Sequence, residues 1–395
     1  SAADADGPAA PTTAPATATA LRRDQAEPRT VLAALARIHV QGHPVDWPAL
    51  FGGSRRPRLE LPTYPFQRRR YWLEPAARAA DAAGLGLADA DHPLLGAAVR
   101  PAGSDGVLLT GSLSLAAHPW LADHVALGSV LLPGAALVEL AIRAGDEVGA
   151  SVLDELVVEA PLVLPETGAL HLQVAVGEAD EATGARPVAI HTRPADPDAE
   201  WTRHASGTLV TAAATAGTEL TAWPPAGAEA LPIEDVYQEL AAAGLDYGPA
   251  FQSLRAAWRD GDTFWAEVAL PADQLAQAAR FGIHPALLDA AVHLTAHHSL
   301  ADTPPGLSRL PFAYTGVRLH AAGAGALRVR LRYTEPEAIS VEVADETGAP
   351  VASVQALRAR LVSAEQLTPA GEADRDALFA LEWPELVPGV GEVGP

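Results

Sequence analysis

Residues 134–147 read GAALVELAIRAGDE and residues 284–299 read HPALLDAAVHLTAHHS. Both place apolar side chains at helical spacing, and both are followed by four short runs with the period of a strand. After the first come 155–164 (ELVVEAPLVL), 169–176 (ALHLQVAV), 187–192 (PVAIHT) and 203–211 (RHASGTLVT). After the second come 312–320 (FAYTGVRLH), 326–333 (ALRVRLRY), 338–345 (AISVEVAD) and 350–361 (PVASVQALRARL). One apolar helix followed by four strands, twice, predicts an α+β chain in which each half wraps an antiparallel sheet round its own helix. The two sheets would then join side by side. Sequence identity between the halves is weak, so the repeat is one of architecture. The Ala/Thr/Gly/Pro-rich stretch 212–230 closes the first half as a loop.

Around this repeat the chain has 395 residues, room for two or three units of roughly 100–200 residues. With 49% hydrophobic and 19% charged residues the composition supports a folded core and excludes global disorder. Cysteine is absent, which removes disulfides, thiolate metal sites and cysteine nucleophiles. There is no run of about 18 apolar residues and no basic-then-apolar start, so a soluble cytoplasmic protein is expected. A net charge of −22 repels phosphate backbones and anionic lipid, which argues against nucleic-acid or membrane partners. The charge changes sign along the chain: 11 Arg face 7 acidic residues in 1–80, and 16 Arg face 42 in 81–395. Lys, Asn and Met are also absent, a bias of GC-rich coding, and the lack of Met predicts a piece of a longer chain.

Residues 1–20 are Ala/Pro/Thr-rich without periodicity and read as a disordered linker. A short helix is predicted at 30–41 (TVLAALARIHV at 30–40, then Gln41), followed by an extended Arg-rich tail, LPTYPFQRRRYWLEP, at 61–75. Arg68, Arg69 and Arg70 either bind an acidic partner or pack beside Tyr71 and Trp72 and stay solvated.

Three clusters offer chemistry. His124 precedes Gly128 and a Pro133-Gly134 pair at the predicted helix start, where proline's missing N–H costs nothing. Free amides there can hold a carbonyl oxygen while an imidazole removes a proton from the neighbouring carbon. A His before a Pro-Gly turn is also ordinary structure. Asp289 and His293 are four apart on the second helix and share a face. Among Leu287, Leu288, Ala290, Ala291 and Val292, burial is expected to raise the Asp289 pKa so that it holds a proton at neutral pH. An exposed-edge pair is the alternative, and His293 with His297 has the spacing of a metal pair but no third ligand. Tyr247-Gly248-Pro249 offers a phenol fixed by a turn, which is equally common turn chemistry. His118, Trp120 and His204 are given no role. No G-x-S-x-G, phosphate loop or dinucleotide fingerprint occurs.

Together these residues resemble the dehydratase domain of modular type I polyketide synthases over roughly residues 91–365. His124, Gly128 and Pro133 are similar to the family's H-x-x-x-G-x-x-x-x-P, and Tyr247-Gly248-Pro249-x-Phe251 to its Y-G-P-x-F. His284-Pro285-x-x-x-Asp289-x-x-x-His293 is similar to H-P-x-x-x-D-x-x-x-Q/H, and Leu310-Pro311-Phe312 to L-P-F. The flanks agree: residues 64–72 resemble the linker after an acyltransferase, and 378–383 the opening of a ketoreductase region.

The resemblance implies a double hotdog fold with one active site shared between halves. The division is then a linker at 1–90, a first half at 91–225 carrying His124, a second at 226–365 carrying Asp289, and a linker at 366–395. It implies a 3-hydroxyacyl substrate held as a phosphopantetheine thioester on an acyl carrier protein of the same module. His124 would take the C2 proton, amides near Gly134 would bind the thioester oxygen, and Asp289 would protonate the leaving hydroxyl. His293 and Tyr247 would position the acid or the substrate, with Gly128, Pro133, Gly248 and Pro249 shaping the site. A homodimer beside acyltransferase and ketoreductase domains is implied, with no metal and no nicotinamide. Two rivals stay open: a catalytically silent scaffold, and a hotdog enzyme running isomerisation, cyclisation or thioester hydrolysis.

Overall fold

The alternation read from the sequence becomes antiparallel ladders in the computed structural model, which describes residues 17–52 and 82–367 apart from 197, 214 and 336. Contacts divide the chain into two units, Ser1–Glu74 and Pro75–Pro395. In the first unit, helix α1 (Glu27–Val40) starts three residues before the expected 30–41, because Glu27 and Pro28 make a favourable first turn. A four-residue helix, α2 (Trp47–Leu50), is capped by Asp46, whose Oδ1 accepts from the Ala49 amide at 3.0 Å. The Arg68–Arg70 run, the 64–72 segment and the 378–383 segment lie outside the described residues.

In the second unit the first half runs β1 (Ala88–His92), β2 (Leu95–Val99), β3 (Val107–Leu113), β4 (His124–Ala126), β5 (Ser129–Val130) and helix α3 (Gly134–Glu147). It continues with β6 (Val152–Val158), β7 (Leu170–Val176), β8 (Arg186–Pro194) and β9 (Thr202–Val210). The second half runs β10 (Glu229–Leu231), α4 (Val236–Ala242), β11 (Leu245–Tyr247), β12 (Leu254–Asp260), β13 (Thr263–Ala269), α5 (Leu275–Ala278), α6 (Pro285–Ala290) and α7 (His293–His298). It ends with β14 (Leu307–Leu319), β15 (Ala326–Glu335), β16 (Ala338–Ala344) and β17 (Pro350–Ser363).

Fourteen strands form one sheet in the order β1-β2-β3-β7-β8-β9-β6-β14-β17-β16-β15-β13-β12-β10. Read outward from the β6–β14 seam, the two halves have the same order: first strand after the helix, then fourth, third, second, then the strands that precede the helix. At the seam Tyr314 lies opposite Leu156 and Val317 opposite Leu153. The strands after each helix fall where the pattern predicts, except that β6 begins three residues before 155 and ends at Val158, six short of 164. Of the strands before each helix, β13 alternates and β2 and β12 do not: Ala and Gly dominate β2, and in β12 the buried positions are Leu254 and Ala257.

Helix α3 buries Ala135, Ala136, Leu137, Val138, Leu140, Ala141 and Ala144, and its small residues let the sheet curl closely about it. The second apolar helix departs from expectation. Residues 284–299 form two short helices, α6 and α7, because the chain turns at Ala291–Val292, where the Val292 amide bonds to the Asp289 carbonyl at 3.0 Å. The Thr295 hydroxyl then donates to the Val292 carbonyl at 2.9 Å. The 212–230 stretch, expected to close the first half as a loop, packs instead on strands of the second: Trp223 Nε1 donates to Glu267 Oε1 at 2.6 Å and the ring packs edge-on to Trp258 and Trp265. Among the described residues no helix is long and apolar enough to cross a membrane.

Candidate active site

His124 opens the two-residue hairpin β4–β5. Leu127 and Gly128 make its turn with φ of 49° and 82°, the conformation that matches the twist of paired strands. The other edge of β4 pairs with β11 from the second half, which sets Tyr247 opposite His124. A small sheet, β11-β4-β5, therefore bridges the halves beside His124. The preceding Asp123 holds this register: its carbonyl accepts from the Gly248 amide at 2.8 Å and its Oδ2 from the Ala250 amide at 2.8 Å. A Cβ at Gly248 would collide with the Asp123 carboxyl, which is why the Tyr-Gly-Pro turn needs glycine there.

The His124 Nδ1 lies 2.9 Å from the Leu131 carbonyl, which can only accept. Nδ1 therefore carries the ring proton, and Nε2 presents its lone pair to the cavity. Nε2 is 3.7 Å from Asp289 Oδ2, which comes from α6 in the other half. The same carboxylate oxygen is 2.8 Å from His293 Nε2 on α7, so the pairing expected for one helix survives its division into two. The His293 ring packs on Tyr247 at 4.0 Å with the planes tilted by 35°, and its Nδ1 is 3.4 Å from the Tyr237 hydroxyl. That hydroxyl is fixed by the Leu254 amide at 2.9 Å. Tyr237 gave no motif in the sequence and comes to the site from α4.

These groups line a cavity of about 470 Å³ that also takes in Gly134 at the start of α3, apolar walls such as Leu137, Leu162 and Phe312, and a rim with Arg309 and Arg360. Pro133 is the residue before the first turn of α3, not within it, and its carbonyl accepts from the Ala136 amide. A Cβ at Gly134 would collide with the Tyr314 hydroxyl, so glycine is required where the helix meets the cavity. Of the residues singled out in the sequence, His124, Gly134, Tyr247, Asp289 and His293 line the cavity together. Gly128, Pro133, Gly248 and Pro249 do not line it and set the backbone behind it. His297 turns away to Glu239 at 2.6 Å, so it and His293 do not face one metal position. His204 bonds Thr192 at 2.8 Å and Trp120 stacks on Phe251.

Electrostatics correct one expectation. Burial pushes the Asp289 carboxyl up, but the His124 and His293 imidazoles outweigh it and hold the group below the usual carboxylate range. Burial lowers the His124 imidazole below its ordinary value, against the opposing pull of Asp289. The Tyr247 phenol is pushed well up, first by burial and then by Asp289, so it stays a neutral donor.

One antiparallel sheet in two halves of like strand order, each half with its own central helical segment and the two meeting at a cavity, has the architecture of a double hotdog. The model of the "Polyketide synthase dehydratase domain" matches residues 92–193, and that of the "Polyketide synthase dehydratase N-terminal domain" matches 215–369. The dehydratase domain from the terminal module of the rifamycin polyketide synthase is 49% identical with a TM-score of 0.67, covering 71% of this chain and 100% of that one. The erythromycin dehydratase is 42% identical with a TM-score of 0.65, covering 71% and 100%. Polyketide synthase GfsA of Streptomyces halstedii is 50% identical over 381 residues, 94% of this chain and 5% of that protein. Mycoketide-CoA synthase of Mycobacterium tuberculosis is 48% identical over 375 residues, 94% and 9%. The chain belongs to the polyketide synthase dehydratase family, and its second unit contains a double hotdog dehydratase domain, a hydro-lyase. It spans less than a tenth of these two synthases' length.

Proposed function

We propose that this domain removes water from a 3-hydroxyacyl chain carried as a phosphopantetheine thioester on an acyl carrier protein, leaving a trans 2,3-enoyl thioester. The observation that carries the reading is the 3.7 Å approach of His124 Nε2 to Asp289 Oδ2 inside one cavity. His124 Nε2 takes the proton from C2, whose acidity comes from the thioester. The electron pair forms the C2–C3 double bond, and the C3–O bond breaks as Asp289 delivers a proton to the hydroxyl, which leaves as water. Nothing is oxidised or reduced, so the balance calls for no cofactor. Base and acid this close favour loss of the proton and the hydroxyl from one face of the chain.

The thioester oxygen gains charge as C2 loses its proton. The first amides of α3, at Gly134 and Ala135, are free of the helix ladder and suit that oxygen. His293 holds the Asp289 carboxyl from behind, and Tyr247 offers its hydroxyl to the substrate or the acid. The pair must hold one proton between them to act, with His124 neutral and Asp289 protonated. An acyl chain that fills the apolar cavity displaces water from Asp289 and drives its pKa back up.

The carrier protein of the same module is the partner, with acyltransferase and ketoreductase domains on either side, a homodimeric assembly and a cytoplasmic location. The limits read from the sequence, 1–90, 91–225, 226–365 and 366–395, are the proposed linkers and halves, with the first half taking in all of β1 from Ala88. The test is mass spectrometry of a carrier-bound 3-hydroxyacyl thioester with the parent chain, His124→Phe and Asp289→Asn. Loss of one water with the parent and a fall of about 10³-fold in each folded variant is expected. Unchanged substrate with the parent, in both directions and with both hydroxyl configurations, would give way to the scaffold reading.

A further inference from the structure

Glu139 is a carboxylate in the middle of α3, on a stretch that is otherwise apolar, and it is 1% exposed. It takes no part in the chemistry above. Its Oε1 accepts from the Gly282 amide at 2.7 Å and its Oε2 from the Ile283 amide at 3.0 Å. Gly282 and Ile283 belong to the second half and stand directly before His284, the cap of α6. Behind Glu139 lies His92, from the end of β1. Its Nδ1 accepts from the Leu94 amide at 3.2 Å, so Nε2 carries the proton, and Nε2 lies 3.4 Å from Glu139 Oε1.

We infer that Glu139, backed by His92, is a positioning residue that fixes the acid of one half against the base and the helix start of the other. The inference rests on the dehydratase reading for its catalytic consequence. Glu139 is five residues from Gly134, about 7.5 Å along the same rigid helix. One element thus carries the amides that suit the thioester oxygen and the carboxylate that holds the entry to α6. Helix α6 has only six residues, and its one side-chain cap is His284 Nδ1 accepting from the Ala286 amide at 3.3 Å. So short a helix takes its direction from its ends, and Glu139 holds the first of them. Packing continues the connection. His92 meets Phe281 edge-on at 5.2 Å, Phe281 meets His284 at 4.7 Å, and His284 meets Trp120 at 5.1 Å. Trp120 stacks on Phe251, which packs against His124 at 5.1 Å. The chain of contacts ends at the base.

A purely structural role would cost stability and leave turnover intact, whereas a positioning role costs kcat. Two variants of the 395-residue chain separate these. Glu139→Gln sets an amide N–H₂ against one of two backbone donors. Gly282→Ala pushes from the other side, since its Cβ would sit 3.2 Å from Glu139 Oε2 and 2.8 Å from Leu319 Cδ2. Each is expected to lower kcat about 10- to 100-fold, as a misplacement near 1 Å does, with KM within about threefold. Leu172→Ala, a core truncation on β7, gives a control of comparable thermal destabilisation whose kcat stays within about twofold. Hydrogen exchange read without substrate, across residues 282–293, is expected to speed up in both variants and not in the control. Unaltered kcat in both folded variants of an active parent overturns the inference. If the parent does not dehydrate, exchange decides alone: acceleration across 284–293 retains the anchor while the dehydratase reading falls, and no acceleration overturns the anchor as well.

Discussion

The two halves have the same strand order about the β6–β14 seam but treat their central helix differently. In the first, α3 runs unbroken for 14 residues and buries apolar side chains nearly throughout. In the second, the equivalent stretch breaks into two six-residue helices and buries His284, Asp289 and His293. The unbroken α3 meets the cavity with its first turn, through Gly134 and the apolar Leu137. A broken helix can turn polar side chains inward from two short elements, and α6 and α7 bring Asp289 and His293 to one point. In the proposed reaction the halves divide the labour: one supplies His124 on a hairpin and the first amides of α3, the other Asp289 and the His293 that holds it.

The most severe way to break this division is to remove the holder. His293→Phe keeps a ring against Tyr247 but removes the hydrogen bond to the Asp289 carboxylate, worth about 1.5–3 kcal/mol for a charged partner. A fall in kcat of roughly 10- to 100-fold is expected, measured by single-turnover conversion, while His297→Phe, whose ring faces Glu239, should stay within about twofold.

A pH profile sharpens the comparison next. Both His124 and Asp289 lie below their ordinary values in the free domain, so the singly protonated pair is most populated between two lowered pKa values. The profile of kcat/KM is therefore expected to peak on the acid side of about 6.5, the ordinary value of an imidazole. It should fall about tenfold per pH unit above its alkaline limb, as the pair loses its last proton. A plateau through neutral pH would mean that the imidazoles do not hold Asp289 down. In folding, the lowered Asp289 contributes stability present above its unfolded pKa and lost as pH falls through its folded one. The lowered His124 adds stability above its unfolded pKa, again lost on acidification. Urea unfolding should accordingly show a less stable domain at low pH.

Smaller effects probe the first half alone. Gly134→Ala drives a methyl group into the Tyr314 hydroxyl and should cost about 1–3 kcal/mol by denaturant unfolding, with partial recovery when Tyr314→Phe is added. Gly128→Ala meets no neighbour but places a Cβ at a φ of 82°, and a loss of about 1 kcal/mol with kcat nearly intact is expected.

His124 and Asp289 were legible as residues of one cavity because each sits in a run with fixed local geometry: His124 before a two-residue turn and a helix start, Asp289 four residues before His293. The strands after each helix were legible because their side chains alternate, as in LHLQVAV. Pairings between distant segments left no local trace. Nothing in Leu245-Asp246-Tyr247 tells that it forms a ladder with His124, and nothing near Asp123 tells that it holds Gly248 and Ala250. The Asp289 pKa was misjudged for the same reason, since its environment includes an imidazole from the other half. Glu139 did leave a mark, a lone carboxylate within GAALVELAIRAG, and an unpaired charge on a buried helix face is a signal that distant amides will meet it.

The hydrogen bond from the Ile283 amide to Glu139 closes a loop of 144 residues. At roughly 5–20 residues per second, a ribosome takes on the order of 10–30 s to deliver the second partner after the first. Until residues 245–247 follow, the outer side of β4 has no β11, and until residues 307–319 follow, β6 has an open edge where β14 will lie. Open edges are places where foreign strands add. A nascent first half therefore carries open strand edges that only the second half of the same chain covers, and it shares its seam with no other element until those strands arrive.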